Sequence, residues 1–174
     1  MGCVAETGQI VKEMAEDIAQ TLGIKPPRGV QDAHMDDRGR VKVPAAFKEY
    51  LEQFPDKKLF VTSMDRRIAQ VYPIVFWEQT EKFLENFTED PEAAERLAFN
   101  AADLGTEAEM DSQGRVLFST KLRRLLDLEN KPVHLYNFGG HMEVLNDALY
   151  EQKVGESSVD PVSDKAKLRK AGMK

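Results

Sequence analysis

Three basic residues at alternate positions are the clearest chemical feature of this sequence. Arg38, Arg40 and Lys42 follow one another at a spacing of two, directly after a pair of aspartates. In an extended strand, residues two apart lie on the same face at a separation of roughly 7 Å. That separation is comparable with the distance between successive phosphates of a DNA strand. A row of cations with this spacing could neutralise phosphates of a nucleic acid.

The residues around these cations predict a tight turn, and the turn occurs twice. Asp36 can accept hydrogen bonds from backbone amides two or three residues further on. Gly39 can supply the positive φ that a hairpin loop with a bulge requires. The pattern Asp-x-x-Gly-Arg-Val recurs 75 residues later, where Asp111, Gly114 and Arg115 hold the corresponding positions. We therefore expect the two aspartates and the two glycines to shape equivalent turns.

The duplication extends to the segments around the turns. Each copy predicts a strand, the turn, a second strand, a helix, and then two further strands followed by a helix. The strand pattern of Leu59–Thr62, for example, recurs at Val133–Tyr136. We place the first half at 28–89 and the second half, with a preceding linking helix, at 90–154. Such a duplication suggests a pseudo-twofold arrangement in which neither half buries its apolar faces alone.

The two ends of the chain lie outside the duplication. Apolar residues at helical spacing predict an amphipathic helix over 8–22, within an N-terminal extension that covers 1–27. From Gly155 onward the apolar pattern ends, and 155–174 is expected to be a disordered basic tail. A solvated tail is the simplest interpretation, and an auxiliary contact with DNA or RNA is the alternative.

Composition favours a globular cytoplasmic protein. The chain has 174 residues, of which 41% are hydrophobic and 31% charged, as in ordinary globular domains. No apolar run approaches the roughly 18 residues that a membrane-spanning helix needs. The single cysteine, Cys3, and the absence of a basic and apolar leader favour a reducing cytoplasm. We expect no contact with a membrane.

Charge is distributed unevenly along the chain, although the formal net charge is −6. From Arg28 to Arg67 there are nine basic and seven acidic residues, whereas Glu78 to Asp111 has eleven acidic and two basic residues. The first turn therefore lies outside the acidic region, and both can coexist if they face different directions. The glutamates from Glu78 to Glu95 predict an acidic helical surface. Solvation explains it, and a weak cation site or a contact with a basic neighbouring subunit are the alternatives.

Nothing in the sequence has the pattern of a catalytic or metal centre. His34, His134 and His141 are scattered, and no cluster of Cys, His, Asp or Glu has the spacing of metal ligands. No Ser or Cys nucleophile has an identifiable base, and Gly139-Gly140 predicts a turn rather than a phosphate loop. We predict that the protein is not an enzyme and that it uses neither a cofactor nor a metal.

The chain resembles the MraZ family of bacterial transcriptional regulators, within the wider AbrB/SpoVT group. The resemblance runs from Arg28-Gly29 through both Asp-x-x-Gly-Arg motifs to about Val154, and it includes Ile68–Pro73 with Trp77-Glu78. It implies an α+β fold, namely a double-split β-barrel of swapped-hairpin AbrB type with two pseudo-symmetric halves and peripheral helices. It also implies that several chains assemble into a homo-oligomeric ring.

The resemblance further implies a nucleoid-associated repressor. Such proteins bind double-stranded DNA at short tandem repeats upstream of the division and cell-wall gene cluster. Carried over by position, Arg38, Arg40 and Lys42 would contact DNA from the first half and Arg115 from the second half.

The two copies of the turn differ in their basic residues. Gln113 and Leu117 replace two of the three cations in the second copy. Because Arg40 and Arg115 are common to both copies, the sequence gives them the most weight. We expect the first half to be the better DNA-contacting half.

Two other interpretations remain open from the sequence. Arg40 and Arg115 could pair with Asp36 and Asp111 inside their own turns instead of binding DNA. The chain could also be a protein-interaction module, because AbrB-like barrels serve as antitoxins that bind a toxin through an extended tail, and 155–174 offers such a tail.

Overall fold

The structure is a computed structural model that describes residues 22–174. The helix predicted over 8–22 lies outside the described residues, except for Leu22. Strands and helices alternate along the described part of the chain in two similar series. In order they are β1 (Gln31–His34), β2 (Arg40–Lys42), α1 (Ala45–Glu52), β3 (Lys58–Thr62), β4 (Ala69–Pro73), α2 (Ile74–Asn86), α3 (Pro91–Leu104), β5 (Thr106–Glu109), β6 (Arg115–Leu117), α4 (Thr120–Leu125), β7 (Pro132–Phe138), β8 (His141–Asn146), α5 (Asp147–Ser157) and α6 (Pro161–Lys170).

The strand order has the twofold relation that the duplicated sequence predicts. Six strands form one sheet in the order β1-β7-β8-β4-β3-β5, and β2 pairs with β6 in a separate two-stranded ribbon. All these pairs are antiparallel. In the sheet, β1, β3 and β4 of the first copy correspond to β5, β7 and β8 of the second copy. Exchanging each strand for its counterpart and reading the order backwards gives the same order again. The α+β class predicted from the sequence is confirmed.

The two copies exchange their first strands. β1 pairs with β7, with Asp32 opposite His134, and β5 pairs with β3. Each copy therefore completes the sheet of the other. Neither of the ranges predicted from the sequence for the two halves, 28–89 and 90–154, contains all the strands of its own part of the sheet.

The pseudo-twofold axis passes beside two pairs of residues. In the sheet, β4 and β8 meet with Gln70 opposite Glu143. In the ribbon, Val41 lies opposite Val116. The partners in each pair hold corresponding positions in the two copies, so the copies meet directly at both places.

Apolar side chains from the sheet, the ribbon and the helices form a common core. Helix α1 buries Phe47, Tyr50 and Leu51, and the ribbon adds the side chains of Val41 and Val116. Burial of one such side chain contributes roughly 1.5–3 kcal/mol to the free energy of unfolding. The core thus fixes the position of the ribbon relative to the sheet.

Helix α2 buries Phe76, which belongs to its apolar stripe, and also buries Trp77. Periodicity alone places Trp77 at the edge of the apolar stripe, yet Trp77 is buried together with Phe76. The cause is tertiary, because Phe60 stacks on Trp77 at a centroid distance of 4.3 Å and Tyr72 packs edge-on at 5.3 Å. Two strands of the sheet therefore draw the indole into the core.

The C-terminal segment differs from the disordered tail expected over 155–174, because it forms the end of α5 and the whole of α6. Asn146 and Asp160 accept hydrogen bonds from backbone amides in the first turns of α5 and α6. Neither helix has a buried residue. Side-chain caps stabilise the first turn of each helix, and α5 also packs on the sheet through Tyr150, whose ring stacks on His134.

Residues 22–174 contain neither a membrane-spanning helix nor a cluster of metal ligands. None of the helices there has both the length and the apolar composition needed to cross a bilayer. No group of three or more His, Cys, Asp or Glu side chains in this part of the chain is arranged to hold a metal ion.

Candidate nucleic-acid interface

The first turn, from Asp36 to Arg40, is closed by the aspartate side chain. Oδ1 of Asp36 accepts hydrogen bonds from the amides of Arg38 and Arg40, each at 2.9 Å. Gly39 has a φ of +80°, and its amide donates to the carbonyl oxygen of Asp36 at 3.1 Å. Amides that a tight turn would otherwise leave without partners are thereby satisfied.

The second turn, from Asp111 to Arg115, repeats this geometry. Oδ1 of Asp111 accepts from the amides of Gln113 at 2.9 Å and Arg115 at 3.0 Å. Gly114 has a φ of +74° and donates to the carbonyl oxygen of Asp111 at 2.9 Å. The duplicated motif therefore gives the same backbone twice.

Arg40 and Arg115, to which the sequence gives the most weight, are each bound within their own turn. Nε of Arg40 donates to Oδ2 of Asp36 at 2.9 Å, and Nη2 lies 2.8 Å from the same oxygen. Nε of Arg115 donates to Oδ2 of Asp111 at 2.7 Å. Both arginine side chains are 25% exposed. The pairing left open by the sequence is therefore present, and only part of each guanidinium faces solvent.

Hydrogen bonds lower the pKa of both aspartates. The amide of Arg40 is the largest influence on Asp36 and lowers the pKa of that carboxyl, while burial opposes it only in part. At Asp111 burial is the largest influence and raises the pKa, but the hydrogen bonds from Arg115 and Gln113 together outweigh it, so the pKa is also lowered. The ion pairs of both turns therefore persist to lower pH than they would with an ordinary aspartate pKa.

The ribbon brings the two turns to one surface of the molecule. Val41 and Val116 are paired and buried. Because side chains alternate along a strand, the residues on either side of these valines point outward. Arg40, Lys42 and Arg115 share this outer face, and Lys42 lies directly opposite Arg115. Three of the four predicted DNA contacts thus come together on the ribbon.

Each turn is also tied to the opposite copy. The carbonyl oxygen of Gly114 accepts the amide of Val43 at 2.8 Å, and the carbonyl oxygen of Gly39 accepts the amide of Phe118 at 2.9 Å. These two hydrogen bonds join corresponding residues of the two copies and are related by the pseudo-twofold axis. They fix the spacing of the turns, so the cations of both copies are held in a defined arrangement.

Arg38 and Lys42 are the exposed cations of the first turn and its strand. Neither forms an ion pair with another residue in the described range, in contrast to the paired Arg40. The corresponding positions of the second copy hold Gln113 and Leu117, and the Leu117 side chain is 51% exposed. The two copies therefore differ, as the sequence predicts, in the number of exposed cations that have no ion-pair partner among the described residues.

Sequence reasoning missed two basic residues that approach the turns from helices. Lys48 of α1 and Arg123 of α4 hold corresponding positions, and each lies against the glycine of the opposite turn. A Cβ atom added to Gly114 would lie 3.4 Å from Cδ of Lys48, and a Cβ atom added to Gly39 would lie 2.2 Å from Nη1 of Arg123. Arg123 is only 15% exposed and donates to the carbonyl oxygen of Phe118 at 2.9 Å. Their shared displacement of 75 residues, equal to that of the turns, was the signal that could have found them.

The fold and the two turns define a duplicated α+β protein that presents a pair of basic hairpins. No family model matches the chain. It is 30% identical over 127 residues to the transcriptional regulator MraZ of Acidobacterium capsulatum, which covers 73% of this chain and 86% of that protein. It is 30% identical over 147 residues to MraZ of Koribacter versatilis, with coverages of 84% and 99%. For MraZ of Methylobacillus flagellatus the identity is 32% over 120 residues, with coverages of 67% and 78%.

This chain belongs to the MraZ family of transcriptional regulators, so the family resemblance found in the sequence is confirmed. The relatives are named as regulators and not as enzymes or antitoxins. A regulator of transcription is accordingly the functional class of the chain.

Proposed function

We propose that this protein is a sequence-specific DNA-binding repressor. The observation that carries the proposal is the ribbon, which places Arg40, Lys42 and Arg115 on one outward face with both turns beside it. A two-stranded β-ribbon fits the major groove of DNA. Lysine and arginine on such a ribbon can neutralise phosphates, and an arginine can read the edge of a guanine.

The proposal assigns different roles to the four basic residues. Arg38 and Lys42 bind phosphates, because they are exposed and unpaired within the described residues. Arg40 and Arg115 hold their turns in shape, and they direct the solvent-facing part of the guanidinium toward the DNA. The first copy consequently makes the stronger contact.

Assembly of several chains is part of the same proposal. One chain presents few free cations and carries a formal net charge of −6, so useful affinity requires several protomers that bind repeated sites together. We propose a ring of swapped-hairpin, double-split β-barrels of AbrB/SpoVT type, located in the cytoplasm at the nucleoid. The exchange of β1 and β5 between the copies supports this type of barrel. The sites would be short tandem repeats upstream of the division and cell-wall gene cluster.

Footprinting and salt-dependent binding test the proposal. DNA from upstream of the protein's own gene should show protected short repeats at helical spacing. The variant Arg38→Ala, Lys42→Ala should bind this DNA about tenfold more weakly or worse, and the slope of log affinity against log salt should fall by about 0.9 for each lost phosphate contact. The matched variant Gln113→Ala, Leu117→Ala alters the corresponding positions and should change neither quantity appreciably.

Two results would contradict the proposal. One is an unprotected upstream region at concentrations where the wild type is assembled. The other is wild-type affinity and salt dependence in a folded variant in which Arg38, Arg40, Lys42 and Arg115 are all replaced by alanine.

A further inference from the structure

Helices α2 and α3 form a groove with an apolar floor and an acidic rim. Its volume is about 600 Å³, and Phe60 and Trp77 contribute to the floor. Glu81 and Glu85 line the groove from α2, and Glu95 lines it from α3. Oε1 of Glu81 accepts a hydrogen bond from the indole Nε1 of Trp77 at 2.7 Å. One carboxylate of the rim is therefore held directly beside the floor.

The groove lies in the most acidic segment of the chain. Residues 78–96 contain seven acidic and two basic side chains. Among the ion pairs within the described range, Glu92 of α3 pairs with Arg96, but the three glutamates of the rim have no such partner. A ligand for this groove should be apolar along its centre and positively charged at its sides.

Helix α6 has the opposite character and is not packed against the core. Residues 161–174 contain five basic side chains and one acidic side chain. The helix holds the same place after α5 that α3 holds after α2. Helix α3 buries Ala94, Ala101 and Leu104, whereas α6 buries no residue. Among residues 22–174, the final helix of the second copy therefore buries none of its side chains against another element.

One face of α6 combines apolar and basic residues. Val162 and Ala166 are four residues apart and share a face of the helix, and Val159 lies one turn before Val162. The side chains of Val159 and Val162 are 82% and 80% exposed. By the helical repeat of 3.6 residues, Lys165 and Arg169 flank this stripe on one side.

The arrangement of charge on α6 matches the rim of the groove. Lys165 and Arg169 are four residues apart on one helix, and Glu81 and Glu85 are four residues apart on another. We infer that α6 of one protomer docks into the groove between α2 and α3 of a second copy of this chain. The inference rests on the self-association proposed above, but it does not depend on DNA binding.

The opposite side of the contact is also complementary. By helical position, Lys170 lies on the other flank of the apolar stripe, and Glu95 lies on the other wall of the groove. Val162 and Ala166 then face Trp77 and its neighbours on the floor. Exposed ion pairs contribute little individually, so burial of the stripe supplies most of the attraction and the charges select the orientation.

Disulfide trapping tests the contact directly. Two variants are made in a Cys3→Ser background with tags of different size: Ala98→Cys, which lies in the groove, and Ala166→Cys on α6. When the two proteins are mixed and oxidised, a covalent heterodimer should form. The control replaces Ala166→Cys with Ala148→Cys, an exposed position on α5, and should give less than a tenth of that product. Equal yields from the two mixtures, or none from either, would overturn the inference.

Charge reversal tests the same contact in the assembled protein. Arg169→Glu and Glu85→Lys should each raise the concentration required for half-assembly at least tenfold in sedimentation experiments. The combined variant should return to within about threefold of the wild type. Lys167→Glu makes the same change of charge as Arg169→Glu on the opposite face of α6 and should leave assembly unaltered.

The possible results separate this inference from the proposed function. A wild type that stays monomeric at every concentration contradicts the proposed ring, and the docking falls with it. A wild-type oligomer that withstands both Arg169→Glu and Glu85→Lys overturns the docking alone. If Arg169→Glu and Lys167→Glu weaken DNA binding equally and assembly is unchanged, α6 contacts DNA instead and the docking is again overturned.

Discussion

The two copies of the repeat build the same strand and helix contact from different side chains. In the first copy Phe60 of β3 stacks on Trp77 of α2 at a centroid distance of 4.3 Å. At the corresponding place in the second copy, His134 of β7 stacks on Tyr150 of α5 at 4.1 Å. Both copies have a stacked pair of rings at this place. The pair in the second copy is more polar, and its helix residue Tyr150 is less buried than Trp77.

The second copy uses hydrogen bonds where the first uses apolar burial. Nδ1 of His134 lies 2.7 Å from Oδ1 of Asp32, and Nε2 lies 2.7 Å from Oδ1 of Asp147. The ring thus joins β1, β7 and α5. The comparison shows that a duplicated backbone can be maintained by two kinds of interaction, provided that a flat ring fills the same place. Substitutions at matched positions can separate the two contributions.

Truncation of the stacked residue should show the largest difference between the copies. Trp77 is 5% exposed, so Trp77→Ala should lower the free energy of unfolding by about 3–5 kcal/mol. Tyr150 is only partly buried, and Tyr150→Ala should cost about 1 kcal/mol. Urea unfolding followed by circular dichroism measures both. Equal losses would show that the two stacks carry equal weight.

The turn glycines should respond unequally to the same substitution. Ala at either site is strained, because both have a positive φ, which costs roughly 1–2 kcal/mol. At position 39 the new methyl group would overlap the guanidinium of Arg123 and must displace it, although that group donates a hydrogen bond to the carbonyl oxygen of Phe118. We expect Gly39→Ala to cost about 3 kcal/mol and Gly114→Ala about 1 kcal/mol in urea unfolding. A larger effect at Gly114 would contradict the described asymmetry.

Addition of the missing cations should make the second turn resemble the first. Gln113→Arg with Leu117→Lys restores the charges at the two positions where the copies differ. Each new phosphate contact should increase the salt slope of DNA binding by about 0.9, and the affinity should rise severalfold. Fluorescence anisotropy over a salt series measures both quantities, with Gln113→Ala, Leu117→Ala as the comparison. An unchanged slope would place the second copy away from the DNA.

The smallest expected effect is a pH dependence confined to the second copy. Burial lowers the pKa of His134, but the hydrogen bonds that its ring donates to Asp147 and Asp32 raise it more, so the pKa of His134 in the folded protein lies above the ordinary value of 6.5. Stabilisation by this group is therefore complete below about pH 6.5 and disappears as the pH rises through the folded pKa.

His134→Phe copies the aromatic residue of the first half and removes this dependence. The melting temperature of the wild type should exceed that of the variant by about 2 °C at pH 6, and the difference should shrink as the pH rises toward 8. Tyr150→Phe retains both histidine hydrogen bonds and serves as the control. A wild-type advantage that grows with pH would contradict the assignment.

Local sequence patterns were sufficient to predict the turns, the strands and the helices of the repeated part. Asp36 and Gly39 determine a turn through atoms within four residues of each other, and Asp90 caps α3 by accepting the amide of Ala93 at 2.9 Å, as its position before a proline predicts. The family was indicated by the resemblance of both motifs and their flanking segments to MraZ proteins, and the comparison with those proteins confirms it.

Interactions between distant residues account for what the sequence did not reveal. Trp77 is buried because Phe60 and Tyr72 pack on it, and no pattern within α2 reports that contact. The strand exchange is likewise determined by distant residues. The alternating pattern of β1 would fit a pairing with β3 of its own copy as well as the observed pairing with β7 of the other copy. The sequence left open whether Arg40 pairs with Asp36 or binds DNA. The same residues, Asp-x-x-Gly-Arg, would occur in a motif with either role.

The exchange of β1 and β5 has a consequence for how the chain folds. The contact of Asp32 with His134 joins residues that are 102 positions apart, so the edge of the sheet closes only after most of the chain is available. Proteins dominated by such distant contacts fold slowly. During synthesis the first copy must leave β1 without its partner until β7 has been made, and an unpaired strand is prone to aggregation. Once complete, the two copies should unfold in a single cooperative transition, since neither retains a full set of strands without the other.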